Sequence, residues 1–349
     1  MEKMSKKFVQ IIFAVILVNI IISPVLAQSV DYWINQGKTY FNQERRSEAV
    51  EAYDKALAIE SNNIDALYGK AVALTDISDL NKSGPTWVKL KEEIDKLLTA
   101  NPKNAQAWVY KGDRLLFWGA SDTDGVNSEQ AYDKALSLDP NNVRAFIGKG
   151  NYKLGNQHYQ DAVTFYDKAL AIDPNNIEAL YGKGKALAGL RKAESLQIFD
   201  KAIRLDPTNV NILGSKANAL FQLQRSSEAI PVLEKTISIN PNSAKTWTSL
   251  GWGYYFNCRF EESVQSFRKA LTLNPDDLTK KLLEDQITKI ESKSQLPSCS
   301  TNHPSSQQSA IQIPLNPYQS PNRTSTPLSM STILIGISLS CIVFLIRKK

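Results

Sequence analysis

The sequence predicts an all-α chain: a solenoid of about seven helix-turn-helix units with a C-terminal capping helix, followed by one membrane-crossing helix. Three observations carry this. A helical spacing pattern recurs at intervals of 34, 41, 38, 34, 33 and 34 residues between residues 30 and 277, prolines close six of the seven recurrences, and each end of the chain has an uncharged apolar stretch beside a basic cluster. With 349 residues, 22% charged and 42% apolar, the chain is neither compositionally disordered nor a polytopic membrane protein.

In chain order, Lys3, Lys6 and Lys7 precede an uncharged stretch from Phe8 to Ala27 that ends Val25-Leu26-Ala27 before Gln28. Basic start, apolar run and modest side chains at the end make residues 1–27 a secretory signal peptide, or, if uncleaved, a signal anchor.

Seven units follow, at 30–63, 64–104, 105–142, 143–176, 177–209, 210–243 and 244–277. Each opens with a bulky residue four positions before a small one: Trp33 and Gly37, Leu67 and Ala71, Trp108 and Gly112, Phe146 and Gly150, Leu180 and Gly184, Leu213 and Ala217, Trp247 and Gly251. That offset places both on one helical face, where the small residue admits a neighbouring helix. A second helix carries Tyr53, Ile94, Tyr132, Tyr166, Phe199, Leu233 and Phe267, each followed three residues later by a residue that is small in most units, from Ala56 to Ala270. Pro102, Pro140, Pro174, Pro207, Pro241 and Pro275 end the units, with Ser61 in that place in the first. Extra residues around Ser78–Thr86 in the second unit and Ser121–Asn127 in the third predict longer turns there.

Each helix pair leaves an apolar flank that only the next pair covers, so the last needs a cap. Residues 278–293 supply it, with Leu282, Leu283, Ile287 and Ile290 at helical spacing and charges on the other side. Residues 294–327, dominated by Ser, Pro, Gln, Asn and Thr, cannot build a core and read as a disordered stalk. Residues 328–346 are uncharged and rich in Ile and Leu, and at 1.5 Å per residue reach about 28 Å, enough to cross a hydrocarbon core. Arg347, Lys348 and Lys349 then form a basic cytoplasmic stop, which puts the repeats outside a cell membrane that the protein crosses once.

Helix, turn, helix and proline at this period resemble the tetratricopeptide repeat, and AYDKALAI (52–59) and FYDKALAIDPNN (165–176) match that family closely. The resemblance covers residues 30–277 and implies a right-handed superhelix whose concave face is built by the first helix of each pair. In family members that hold acidic peptide C-termini, Lys and Asn from adjacent units clamp the carboxylates. Lys38 and Lys185 stand in suitable columns, but the accompanying columns hold Gly69, Gly148, Gly182 and Ser215, which favours a mixed aromatic and polar ligand.

The net charge of +6 invites a nucleic-acid reading until it is located. Residues 1–27 carry +2, Arg323 carries +1 and the last three residues +3, so residues 28–293 are neutral and no nucleic-acid partner is expected. His158 and His303 are the only histidines, which rules out a His-centred triad or multi-His metal site. Cys258, Cys299 and Cys341 have no metal spacing and suggest no disulfide framework; Cys258 is expected to be a packed small residue. Gly37-Lys38-Thr39 lacks the glycine a phosphate loop requires at Tyr32, and Asp122-Thr123-Asp124-Gly125 lacks the first and last ligands of a calcium loop. The recurring Asp-Lys pairs (Asp54-Lys55, Asp133-Lys134, Asp167-Lys168, Asp200-Lys201) read as exposed convex positions that serve solubility. Neither enzymatic activity nor a cofactor is expected.

What remains is the concave surface. One residue after each anchor, and four after that, form a stripe rotated off the packing face: Tyr68 and Val72, Tyr181 and Lys185, Thr248 and Trp252, with Phe256 one turn further. Tyr110, Asn151, Asn218 and Tyr255 lie beside it. Amphipathic aromatics with amide and ammonium groups suit a protein or peptide ligand, offering area for affinity and polar groups for register. The expected function is a surface-anchored interaction scaffold; the alternative is a non-catalytic accessory that binds envelope polysaccharide or assists its export. Asn81 and Asn322 begin glycosylation triplets, the first in the unit-two insertion and the second in the stalk.

Overall fold

The computed structural model describes residues 29–118 and 125–292. The expected signal segment 1–27, the stalk 294–327 with Asn322, the apolar stretch 328–346 and the basic stop 347–349 lie outside the described residues. No described helix is long and apolar enough to cross a membrane.

The described residues form fifteen helices and no strand. They pair in chain order as α1 (Val30–Asn42) with α2 (Arg46–Ile59), α3 (Ile64–Asp76) with α4 (Leu80–Ala100), α5 (Ala105–Trp118) with α6 (Ser128–Leu138), and α7 (Val143–Gly155) with α8 (Tyr159–Ile172). Then come α9 (Ile177–Gly189) with α10 (Glu194–Leu205), α11 (Val210–Gln222) with α12 (Ser226–Ile239), α13 (Ala244–Phe256) with α14 (Phe260–Thr272), and the cap α15 (Asp277–Glu291). The cap buries Leu283, Ile287 and Ile290, while Leu282 of the same spacing stays half-buried.

Local chemistry sets the boundaries. The carboxamides of Asn63, Asn104, Asn142, Asn176 and Asn209, and the Ser243 hydroxyl, accept the backbone N–H three residues on and so cap the first helices of units two to seven. In units three to seven the capping residue comes two after the proline that closed the preceding unit. The turn within six units passes through one left-handed non-glycine residue, Glu44, Ser78, Gln157, Arg191, Gln224 or Cys258, at φ between 54° and 61°. In the first unit the Arg45 N–H donates back to the Tyr40 carbonyl and the Glu44 N–H to Phe41, which closes the helix end.

Successive first helices touch each other from α1 through α11, whereas successive second helices make no comparable contact. The first helices therefore line the inside of the curve. At the seams, the buried tyrosines of the second helices, Tyr53, Tyr132 and Tyr166, are each gripped by two first helices. A Cβ on Gly150 would lie 2.6 Å from the Tyr166 ring and one on Gly182 only 2.3 Å away; Tyr132 sits the same way between Gly112 and Gly148, and Tyr53 between Gly37 and Gly69.

Three expectations are corrected. The extra residues of unit two do not lengthen its turn: residues 77–79 make the connection and the surplus extends α4 to 21 residues, with Pro85 inside its N-terminal part. Asn81 therefore stands on the first turn of a helix, exposed, with Ser83 of its triplet fully buried. Cys258 is disulfide-bonded rather than a free packed thiol, and the other cysteines in the chain, Cys299 and Cys341, lie outside the described residues. The Asp-Lys pairs are also more than solubilising. Asp54, Asp133, Asp167 and Asp200 each receive the ammonium of a lysine sixteen residues on, Lys70, Lys149, Lys183 or Lys216, which is half-buried or buried on the first helix of the next unit. Each such pair staples one unit to the next.

Candidate functional site

The inner face carries its densest polar assembly where units two, three and four meet. Arg144, second residue of α7, sets its Nε and one Nη 2.9 Å from Asp113 Oδ2 on α5, and its other Nη 3.2 Å from Asp65 Oδ1 on α3. The Tyr132 hydroxyl donates to Asp113 at 2.8 Å and the Tyr110 hydroxyl to Asp65 at 3.2 Å. The guanidinium lies over the Tyr110 ring at 4.7 Å and the Tyr68 ring at 5.7 Å. One cation thus ties three units together through two carboxylates and two aromatic faces.

Burial raises the pKa of Asp113, opposed by the Arg144 charge and the Tyr132 hydroxyl. Arg144 is itself partly desolvated, yet Asp113 and Asp65 hold its pKa above the ordinary value. Next along the curve, Glu178 keeps access to water but is crowded by the channel walls, which raises its pKa; repulsion from Asp113 adds to this, while Arg144, Asn151 and Lys38 oppose it. Lys38 belongs to the first unit and Glu178 to the fifth, so their fields meet across the channel.

Of the residues the sequence singled out, Tyr68 and Tyr110 join this assembly. Tyr68 also meets Trp87 and Phe117 edge-on. Asn151 accepts the Tyr166 hydroxyl at 2.7 Å. Tyr181 accepts the Ser215 hydroxyl at 3.2 Å and lies under the exposed Lys185 ammonium at 5.3 Å. Asn218 is half-buried on the same side. Trp252, Tyr255 and Phe256 form a separate half-buried aromatic group in which Trp252 stacks on Phe256 and meets the buried Phe267 edge-on, so this end of the stripe serves the core as well as the channel.

Sequence reasoning missed Asp65, Arg144 and Glu178. All three occupy one column, the second residue of each first helix, which reads Asp31, Asp65, Gln106, Arg144, Glu178, Asn211 and Lys245. Its alternation of charge was visible; the anchors that were followed lie two residues further on. No cluster among the described residues could hold a metal ion.

Tetratricopeptide repeat family models match residues 30–63 and 244–277, 127–177 and 147–210, and 210–243, together just over half of the chain. The unmatched stretch 64–126 includes unit two and the part of unit three before residue 127. No curated protein matches the sequence. Among solved structures, the chain is similar to YrrB, described as a TPR protein with an unusual peptide-binding site, at 21% identity and a TM-score of 0.44 over 55% of this chain and 97% of that one. It is similar to MamA at 28% identity and a TM-score of 0.41, over 46% of this chain and 93% of that one. A tetratricopeptide repeat protein from Parabacteroides merdae is 17% identical with a TM-score of 0.43, over 76% of this chain and 99% of that one.

Proposed function

Because the chain belongs to the tetratricopeptide repeat family, whose members generally act as protein-protein interaction scaffolds, we propose that it recruits a protein or peptide through the inner face of its array. The observation that carries this is the run of half-exposed aromatics and fixed charges along the first helices, from Tyr110 and Arg144 to Tyr181 and Lys185. Aromatic faces supply contact area, and charges already held in place by Asp113 and Asp65 supply register without being ordered again on binding.

The scaffold is surface-anchored, with the array outside the cell membrane and the C-terminus inside. Basic clusters beside the apolar stretches at both ends support this. A second reading, an accessory that binds envelope polysaccharide, is favoured by Phe117 and Trp118. They are 41% and 37% exposed beside the buried Trp87 and offer flat faces for sugar rings.

A photocrosslinking residue at position 185 on the inner face, against position 134 on the outer face, separates these readings in intact cells. The scaffold reading expects a protein captured from 185 and not from 134; capture from neither position sinks it. Membrane-impermeant biotin applied to intact cells should label the array, and full protection would overturn the outside placement.

A further inference from the structure

The first unit meets the sixth and seventh. The last carbonyls of α1 lie at a helix end; that of Phe41 already accepts the Glu44 N–H and the Arg46 guanidinium, while for those of Asn42 and Gln43 the helix itself supplies no partner. The Asn211 amide donates to the Phe41 and Asn42 carbonyls, each at 3.4 Å, and the Asn240 amide donates to the Gln43 carbonyl at 3.0 Å. Beside them, the Glu44 carboxylate accepts the Ser243 hydroxyl at 3.0 Å and faces the Lys245 ammonium at 4.0 Å. These partners are 169 to 199 residues apart in sequence for the hydrogen bonds, so the contact closes a full turn of the array.

Departures from the repeat pattern mark this contact as built. In the loops before α7, α9 and α11 the capping asparagine donates to an aspartate three residues earlier, Asn142 to Asp139, Asn176 to Asp173 and Asn209 to Asp206, and both side chains are used within the loop. In the loop facing the first unit the pair becomes Asn240, an asparagine shared in that column with Asn101, and Ser243, which is found there alone; this leaves an amide and a hydroxyl to reach outward. Among the left-handed turn residues, only Glu44 is acidic, and in the column of second residues Lys245 stands opposite it.

We propose that residues 41–44 and the side chains of Asn211, Asn240, Ser243 and Lys245 form a clasp that holds the array as a closed turn. Release of the first unit from the sixth and seventh then opens the inner face along its length. The role of that opening in partner loading rests on the scaffold reading, but the clasp itself is tested with no partner present. The seams α4–α5, α6–α7 and α10–α11 are thinner than α2–α3, α8–α9 and α12–α13; Arg144 bridges the first two, which leaves α10–α11 as the place where the opening would bend.

The test is small-angle scattering of the full chain in detergent, comparing the native protein with Glu44→Lys/Asn240→Ala and with the charge exchange Glu44→Lys/Lys245→Glu. The clasp expects a larger radius of gyration in the first variant at unchanged helicity, and a return toward the native value in the second. An unchanged radius in the first variant overturns it. Should that variant lose helicity, zero-length carbodiimide coupling of the native chain decides: a residue 44–245 isopeptide found by mass spectrometry supports the clasp, and its absence overturns it.

Discussion

Replacing Gly182 by alanine sets two effects of opposite sign against each other. Alanine in a helix interior favours folding over glycine by about 1 kcal/mol. Here, however, the added Cβ would stand 2.3 Å from Tyr166 Cζ, 2.4 Å from Cε1 and 2.6 Å from the hydroxyl, where carbon atoms normally keep about 3.5–4.0 Å. The ring cannot retreat. It is fully buried, Gly150 closes its other side with a hypothetical Cβ at 2.6 Å, and its hydroxyl is tied to Asn151 at 2.7 Å. Overpacking of this kind costs about 1–3 kcal/mol, and a displaced hydroxyl loses about 1 kcal/mol more. The net expectation is destabilisation by about 1–3 kcal/mol after the helix gain is subtracted. Gly214 is the control: it also lies inside a helix, and nothing stands within 4 Å of its hypothetical Cβ. Gly214→Ala should therefore stabilise by up to about 1 kcal/mol. Urea unfolding followed by circular dichroism, read as midpoint shifts because repeat arrays need not unfold in two states, should move the midpoints in opposite directions. Equal or same-direction shifts would refute the idea that the glycine column exists to hold tyrosine.

Arg144→Ala should destabilise by about 2–3 kcal/mol, at or below the lower end for a broken buried pair because the arginine is a third exposed. Acidification should recover part of that loss as the stranded Asp113 takes a proton, which thermal melts at several pH values will show. Glu178, whose folded pKa lies above the ordinary 4.5, favours the fold when protonated. That contribution is complete below 4.5 and is lost as pH rises through the raised folded value. Glu178→Gln should hence stabilise the fold near neutral pH, by no more than about 1 kcal/mol after screening by water, seen as a raised melting temperature, and give no gain at about pH 4. Gln157, left-handed at φ 61°, should yield up to about 1 kcal/mol of stability on replacement by glycine, measured by the same melts.

The framework was legible because its signal is chemical monotony: a small residue at Gly37, Ala71 or Gly150 and a ring at Tyr53, Tyr132 or Tyr166 recur at helical spacing, and every one of these is buried. Not every anchor is core, however. Leu67, Leu180 and Leu213 are buried, but Trp108 and Trp247 lie half out and each donates its indole N–H to the carbonyl of the proline six residues before it. A column read as one apolar role thus contains two.

The channel chemistry was less legible because it depends on departures from the repeat rather than on the repeat itself. In units two to seven the column two residues after the anchor reads Gly69, Tyr110, Gly148, Gly182, Ser215 and Ser249. Judged for a ligand clamp, its glycines seem to be missing functional groups. Set against the preceding second-helix residues, Tyr53, Ile94, Tyr132, Tyr166, Phe199 and Leu233, they are volume partners: glycine stands opposite each tyrosine, serine opposite phenylalanine and leucine, and a full tyrosine opposite the smaller isoleucine. That exchange is what frees the Tyr110 ring to stand at the inner face under Arg144. The most polar point of the channel therefore arises where the packing rule is inverted, between Ile94 and Tyr110. A single column read alone cannot reveal this, because the two sides of the exchange lie sixteen residues apart on helices of different units.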